Sequence, residues 1–229
     1  LFGMFFGAGN LIFPVYMGQM AGRNMWPALI GFIITGVGLP LLGVAALGIS
    51  RSSGLFELSS HIGRPYGYFF TCALYLTIGP FFAIIPQGSD KLSLYLLLFS
   101  LAFFVAALLF SLYPGKIMVW VGKILNPAFL LFLGILVVVT LVNPGAAIAE
   151  VEPAGDYATV PFFEGFIEGY NTLDALASLA FGIVVVNVIR GLGVEDGDAV
   201  ASNTVRAGIF SCLLMAVIYF FVTLIGVHS

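Results

Sequence analysis

Residues 3–14 read GMFFGAGNLIFP, the stretch with the clearest capacity for chemistry. Gly3, Gly7 and Gly9 are followed by Asn10 and Pro14. Glycine weakens a helix and proline removes a backbone donor. The spacing predicts a helix interrupted near its middle, with peptide groups released around Gly7, Ala8 and Gly9. Inside a bilayer, irregular backbone survives only where it lines a cavity or binds something. Released N–H groups suit a carboxylate and released carbonyls suit a cation, and the Asn10 amide can serve either. A plain packing face is the alternative, because Gly3 and Gly7 also form a G-x-x-x-G pair.

A second polar cluster begins at NTLDALASLAFG, residues 171–182. A carboxylate within a membrane span is a functional candidate, because burying an unpaired charge is expensive. Asp174 is such a residue if it lies inside the span; at the interface it would instead cap the helix start. Asn171 and Thr172 are open to the same two readings, with coupling or gating as the functional one. Ser178 and Gly182, four apart, share a helix face. The Ala180-Phe181-Gly182 step is either a second break or small-residue packing. Tyr75, near the middle of an apolar run, needs a partner for its hydroxyl, from a substrate carboxylate or a neighbouring helix. Cys72 and Cys212 lie in apolar runs and read as small buried hydrophobes. The chain has no G-x-S-x-G elbow, H-E-x-x-H motif or P-loop, so its spacing suggests no enzyme and calls for no cofactor.

The elements that must position these residues are apolar throughout. Of 229 residues, 61% are hydrophobic and 8% charged, against roughly 25% charged in a soluble domain. So little charge cannot coat a soluble globule, and the solvent must be a lipid bilayer. A net charge of −3 gives a nucleic-acid partner no electrostatic support. Spanning helices need roughly 20 mostly apolar residues. Seven runs qualify: 1–19, 26–49, 66–85, 92–112, 124–142, 169–189 and 207–227. Runs such as LLGVAALGI do not alternate in polarity, which argues against barrel strands. The fold class is therefore all-α, a polytopic transmembrane helix bundle.

Charge sets the orientation. Arg51, Arg64, Lys116, Lys123, Arg190 and Arg206 fall at even-numbered loops, and Arg23 and Lys91 at odd-numbered ones. The positive-inside rule makes the even loops and the N-terminus cytoplasmic. Glu195, Asp196 and Asp198 crowd a loop assigned inside, but acidic residues weigh little in that rule. The loop 143–168 is then external, carrying Glu150, Glu152, Asp156, Glu164 and Glu168. Within it, Phe162-Phe163-Glu164-Gly165-Phe166 reads as a short helix lying on the membrane surface. The chain opens inside an apolar run and is expected to be the front part of a longer one.

The stretch FFGAGNLIFP at 5–14 closely resembles the signature of the bacterial branched-chain amino acid:cation symporter family. WPALIGFIITGVGLP at 26–40, SLYPGK at 111–116 and GFIEGYNTLDALASLAFGIVVVNVIRGLGV at 165–194 are similar to further segments of it. The resemblance implies the LeuT-type inverted-repeat fold of the APC superfamily, here truncated to about seven helices with helices 1 and 6 broken. It implies a first repeat over 1–142, the external loop over 143–168 and the start of a second repeat over 169–229.

The same resemblance implies import of leucine, isoleucine and valine across the bacterial inner membrane, coupled to a cation, with sodium favoured. By it, the N–H groups of Ala8 and Gly9, beside Gly7, would hold the amino acid's carboxylate. Asn10 and the carbonyl of Phe5 would bind a sodium ion, and the carbonyls of Gly3 and Phe6 a second. Tyr75 would donate to the carboxylate. Ser178, Phe181 and Gly182 would face the substrate, with Phe181 against its branched side chain. The competing function is a channel or structural membrane subunit. That reading would want polar residues along several helices, whereas here they concentrate in the first and sixth.

Overall fold

The computed structural model describes residues 1–7, 9–52, 54–78, 101, 104–105, 123–124, 126–142, 145 and 147–229. Among them every regular element is helical and none is a strand. Most of the expected fourth span, and residues 79–85 of the third, lie outside the described residues.

The first span is interrupted as its glycines predict. Helix α1 (Phe2–Phe5) stops at Phe6, whose backbone is extended at φ −78°, ψ 98°, and α2 (Gly9–Ala21) follows. Gly22, at φ +47°, then turns the chain through a short 3₁₀ segment, Gly22–Asn24. The second span runs from α3 (Met25–Ile33) through a π-helical turn, Ile34–Gly38, into α4 (Leu39–Ser50). The π turn has a local cause: Pro40 has no N–H for the carbonyl four residues back, and its ring crowds that carbonyl. Helix α4 closes at Arg51, which adopts a left-handed conformation at φ 55°. Helices α5 (Leu55–Ser60) and α6 (Arg64–Ile78) pack on each other, with the Phe56 and Tyr68 rings 4.7 Å apart. Helix α7 (Asn126–Val142) follows.

The sixth segment differs from expectation. Its first half is α8 (Pro161–Asn171) and its second α9 (Asp174–Gly191), joined at Thr172 and Leu173. Residues 162–166 therefore belong to the first half of this segment and do not form a separate short helix. They pack backbone to backbone on α3. A methyl group on Gly165 would come 1.9 Å from the Ala28 carbonyl oxygen, and one on Gly31 would come 2.1 Å from that of Phe162. The break also falls earlier than Ala180-Phe181-Gly182, which sits inside continuous helix. Of the two readings of that step, small-residue packing describes it.

Helix α10 (Gly197–Val227) begins ten residues before the expected span. This accounts for the acidic crowd in that loop. Asp196 caps the helix by accepting from the Ala199 N–H at 2.8 Å, and Asp198 pairs with Arg51. Carboxylates are favourable at a helix N-terminus.

Residue pairings give the helix directions. Asn10, Gly18 and Gln19 meet Tyr219, Thr223 and Ser229, so α2 runs parallel to α10. Phe32, Leu41 and Gly48 meet Tyr219, Gly208 and Thr204, so the second span runs antiparallel to it. Ala28, Phe32, Gly43 and Leu47 meet Gly165, Gly169, Ser178 and Gly182, so the sixth segment runs parallel to the second. The first and sixth segments are consequently antiparallel. Among the described residues, three stretches are long and apolar enough to cross a membrane: Gly9–Ser50, Pro161–Gly191 and Gly197–Val227. By these pairings, the chain reverses direction within the first of them, at Gly22. Met17, Met25, Phe32, Met215 and Tyr219 are fully buried at their junction. Large apolar side chains on α7, such as Leu131 and Phe132, are exposed.

Candidate functional site

Two helix breaks meet in the bundle. At the first, the Gly7 N–H donates to Asn10 Oδ1 at 2.9 Å, and the Asn10 N–H donates to the Gly7 carbonyl at 3.2 Å. Asn10 thus ties down the peptide that the break releases. Pro14 lies inside α2, four residues on, so the Asn10 carbonyl lacks its helical donor. Gly9 opens α2, placing its N–H among the first-turn donors that have no acceptor within the helix. Ala8 lies outside the described residues. Gly3 and Phe5 are in the last turn of α1, where helical donors run out, and the carbonyl of Phe2 takes the Phe6 N–H at 3.0 Å.

At the second break, Leu173 adopts φ 61°, a conformation costly for a residue bearing Cβ. The Thr172 hydroxyl donates to the Gly169 carbonyl at 2.8 Å, and the Asp174 N–H reaches Thr172 Oγ1 at 3.4 Å. The first half is held by Thr35, on the π turn, whose hydroxyl donates to the Phe166 carbonyl at 2.7 Å. Asp174 is therefore the first residue of α9, where the positive end of the helix favours its charge.

The two breaks are joined by side chains. The Asn10 amide Nδ2 donates to Asp174 Oδ2, and Tyr219 OH donates to the same oxygen at 3.1 Å. Asn10 Nδ2 also contacts the Tyr219 hydroxyl. All three residues are buried, at 2%, 4% and 0% exposure. The Tyr219 ring is held between Phe32, edge-on at 5.0 Å, and Phe6, stacked at 6.1 Å.

The residues expected at the site separate into groups. Gly7, Gly9, Asn10, Thr172 and Asp174 are brought to the breaks. Phe181 approaches them, with its ring 6.2 Å from that of Phe5, edge-on. Ser178 and Gly182 are not brought there. They sit in the seam with α4, where Ser178 covers Gly43 and Gly182 lies under Leu47. The Ser178 hydroxyl donates to the Ala175 carbonyl at 2.7 Å. The physical reason is helical phase: with the break at 172–173, residues 178 and 182 fall on the α4 side. Asn171 ends α8 in an exposed position. Gly3 is pressed against the Asn126 side chain. Tyr75 falls in α6, and its side chain lies outside the described residues. Sequence reasoning missed Tyr219 and Thr35. The available signal for Tyr219 was a tyrosine hydroxyl within an apolar span, which needs a partner.

The arrangement offers a buried carboxylate with neutral partners beside two helix ends. That chemistry receives small charged or zwitterionic ligands.

Comparison with known proteins points the same way. The family described as branched-chain amino acid transport protein matches residues 1–229. A branched-chain amino acid permease, BrnQ, of Lactobacillus delbrueckii subsp. lactis is 52% identical over all of this chain and 54% of that protein. BrnQ of Bacillus subtilis is 42% identical, again over the whole chain and 54% of its own length. The branched-chain amino acid transport system 3 carrier protein of Pseudomonas aeruginosa is 37% identical with the same coverage. The chain thus spans about half the length of the curated relatives it matches. No solved structure matches it significantly.

Proposed function

This chain belongs to the branched-chain amino acid transport protein family, and on that premise we propose that it carries the substrate and cation sites of a secondary importer. The cargo is leucine, isoleucine or valine, coupled to a cation, with sodium favoured. The protein is a multi-pass helical membrane protein, and the relatives named above are a permease or carrier in each case. The observation that carries the reading is the meeting of two breaks, on antiparallel segments, at Asn10 and Asp174.

The N–H of Gly9, which opens α2, together with that of the preceding Ala8, would hold the carboxylate of the amino acid at the positive helix end. Carbonyls of Gly3, Phe5 and Phe6, at the opposite end of the break, would hold sodium with Asn10. Phe181, against Phe5, would supply apolar surface for the branched side chain. One methylene there is worth about 1–3 kcal/mol, so the three substrates should be poorly separated. Antiparallel first and sixth segments support a LeuT-type inverted repeat. The distribution of Lys and Arg supports a cytoplasmic N-terminus, and the bacterial relatives support the inner membrane.

Labelled leucine uptake into proteoliposomes, by a chain of full family length carrying this sequence, is the test. Uptake should saturate and should require an inward sodium gradient. Saturable uptake that ignores sodium in pH-clamped vesicles would reject sodium coupling. Uptake that never saturates would favour the channel reading.

A further inference from the structure

Among the described residues, no basic side chain bonds the carboxylate of Asp174. Its described partners are Asn10, Tyr219 and Thr172, all neutral. The ion pairs formed by Arg23 with Glu152 and by Arg51 with Asp198 are exposed and use other carboxylates. A buried carboxylate costs several kcal/mol to desolvate, and the end of one helix returns only part of that. Both donors from Asn10 and Tyr219 converge on Oδ2. Asn10 Oδ1, the oxygen expected to bind sodium, is already engaged by the Gly7 N–H. The acidic group at the crossing of the two breaks is Asp174.

We propose that Asp174 receives the positive charge of the cargo, as an alkali cation or as the α-ammonium of the amino acid. Asn10 and Tyr219 are positioning residues: both donate to Oδ2 and so fix the orientation of the carboxylate. This rests on the transport reading and adds to it the residue that balances the charge.

The test uses the full-length family protein in detergent, with two probes: labelled sodium in the absence of amino acid, and labelled leucine at saturating sodium. Asp174→Asn keeps the shape and removes the charge. It should weaken one or both probes by at least about tenfold, as removing a buried hydrogen-bonded charge does. Loss of sodium binding assigns the alkali cation. Loss confined to leucine, with competition by 4-methylpentanoate (leucine without its amino group) unchanged, assigns the ammonium. Both probes within twofold of the unsubstituted protein would overturn the proposal. If the Asn variant does not purify as a monodisperse protein, Tyr219→Phe decides. It keeps the charge but removes one of the two donors that hold Oδ2, and should weaken the same probe several-fold; no change there also overturns the proposal. An unsubstituted protein that binds no leucine under any condition would count against the transport reading instead.

Discussion

The Asn10 side chain bonds across two breaks at once: its Oδ1 accepts the Gly7 N–H at 2.9 Å, while its Nδ2 donates to the carboxylate of Asp174. One amide thereby holds the middle of the first span against the middle of the sixth. Asn10→Ala would strip a partner from both. Each buried polar group left wanting costs about 1–3 kcal/mol. The expected outcome is a lower unfolding temperature in detergent together with weaker sodium dependence of leucine uptake. Sodium dependence equal to that of the parent would remove Asn10 from the ion site.

The seam between α3 and α8 sets a second prediction. A methyl group on Gly165 would lie 1.9 Å from the Ala28 carbonyl oxygen, so backbone must move to admit it. Gly165→Ala should destabilise by about 1–3 kcal/mol, the usual cost of overpacking. Gly134→Ala is the control, because no described residue lies within 4 Å of its added methyl. It should be neutral or mildly stabilising, since alanine is the better helix former by about 1 kcal/mol. Thermal unfolding of the two variants side by side checks both, and equal behaviour would discount the close seam.

Leu173 carries the left-handed turn of the sixth segment at φ 61°. A β-branched residue fits that region worse than leucine. Leu173→Val should therefore lose about 1–2 kcal/mol. Leu173→Gly removes the Cβ strain but loosens the unfolded chain by about 0.4–1 kcal/mol, leaving stability nearly unchanged. A valine variant as stable as the glycine variant would contradict a strained break.

Tyr157 lies outside the spans, in the 3₁₀ turn Gly155–Ala158, buried to 4% exposure, and its hydroxyl has no hydrogen-bond partner among the described residues. Burial, and then the nearby carboxylates of Glu168 and Glu164, push its ionisation well above the usual tyrosine range. The folded state therefore holds the phenol proton more tightly than the unfolded chain does. Its contribution to stability is complete below the unfolded value near about 10 and is lost as pH rises beyond it. Tyr157→Phe should behave like the parent at pH 7, and it should lose less stability than the parent at high alkaline pH. Identical alkaline profiles for the two proteins would refute this.

Much of the architecture was legible because its causes are local. Apolar runs of sufficient length require helices in lipid, whatever their neighbours. Gly3, Gly7, Gly9 and Pro14 weaken the first span by their own chemistry, and the break falls among them. Asp174 stood out because a carboxylate in a greasy segment is costly wherever it packs. The break of the sixth segment had no such marker. Thr172 and Leu173 are neither glycine nor proline, and the step at 180–182 was open to a break or to small-residue packing. Ser178 and Gly182 were assigned to the substrate by resemblance alone, and the structure places them in the seam with α4.

The sequence by itself determined a helical membrane protein of the branched-chain amino acid transport family and the weak point of its first helix. The tertiary structure alone decided that Tyr219, 45 residues beyond Asp174 and 209 beyond Asn10, shares their hydrogen bonds. It alone decided, too, which faces of α9 turn toward the breaks and which toward α4. Composition and glycine placement act through each residue's own backbone and solvent preference. Partnership depends on how helices cross, and that is settled by close backbone contacts such as those of Gly18, Gly31, Gly165 and Gly226.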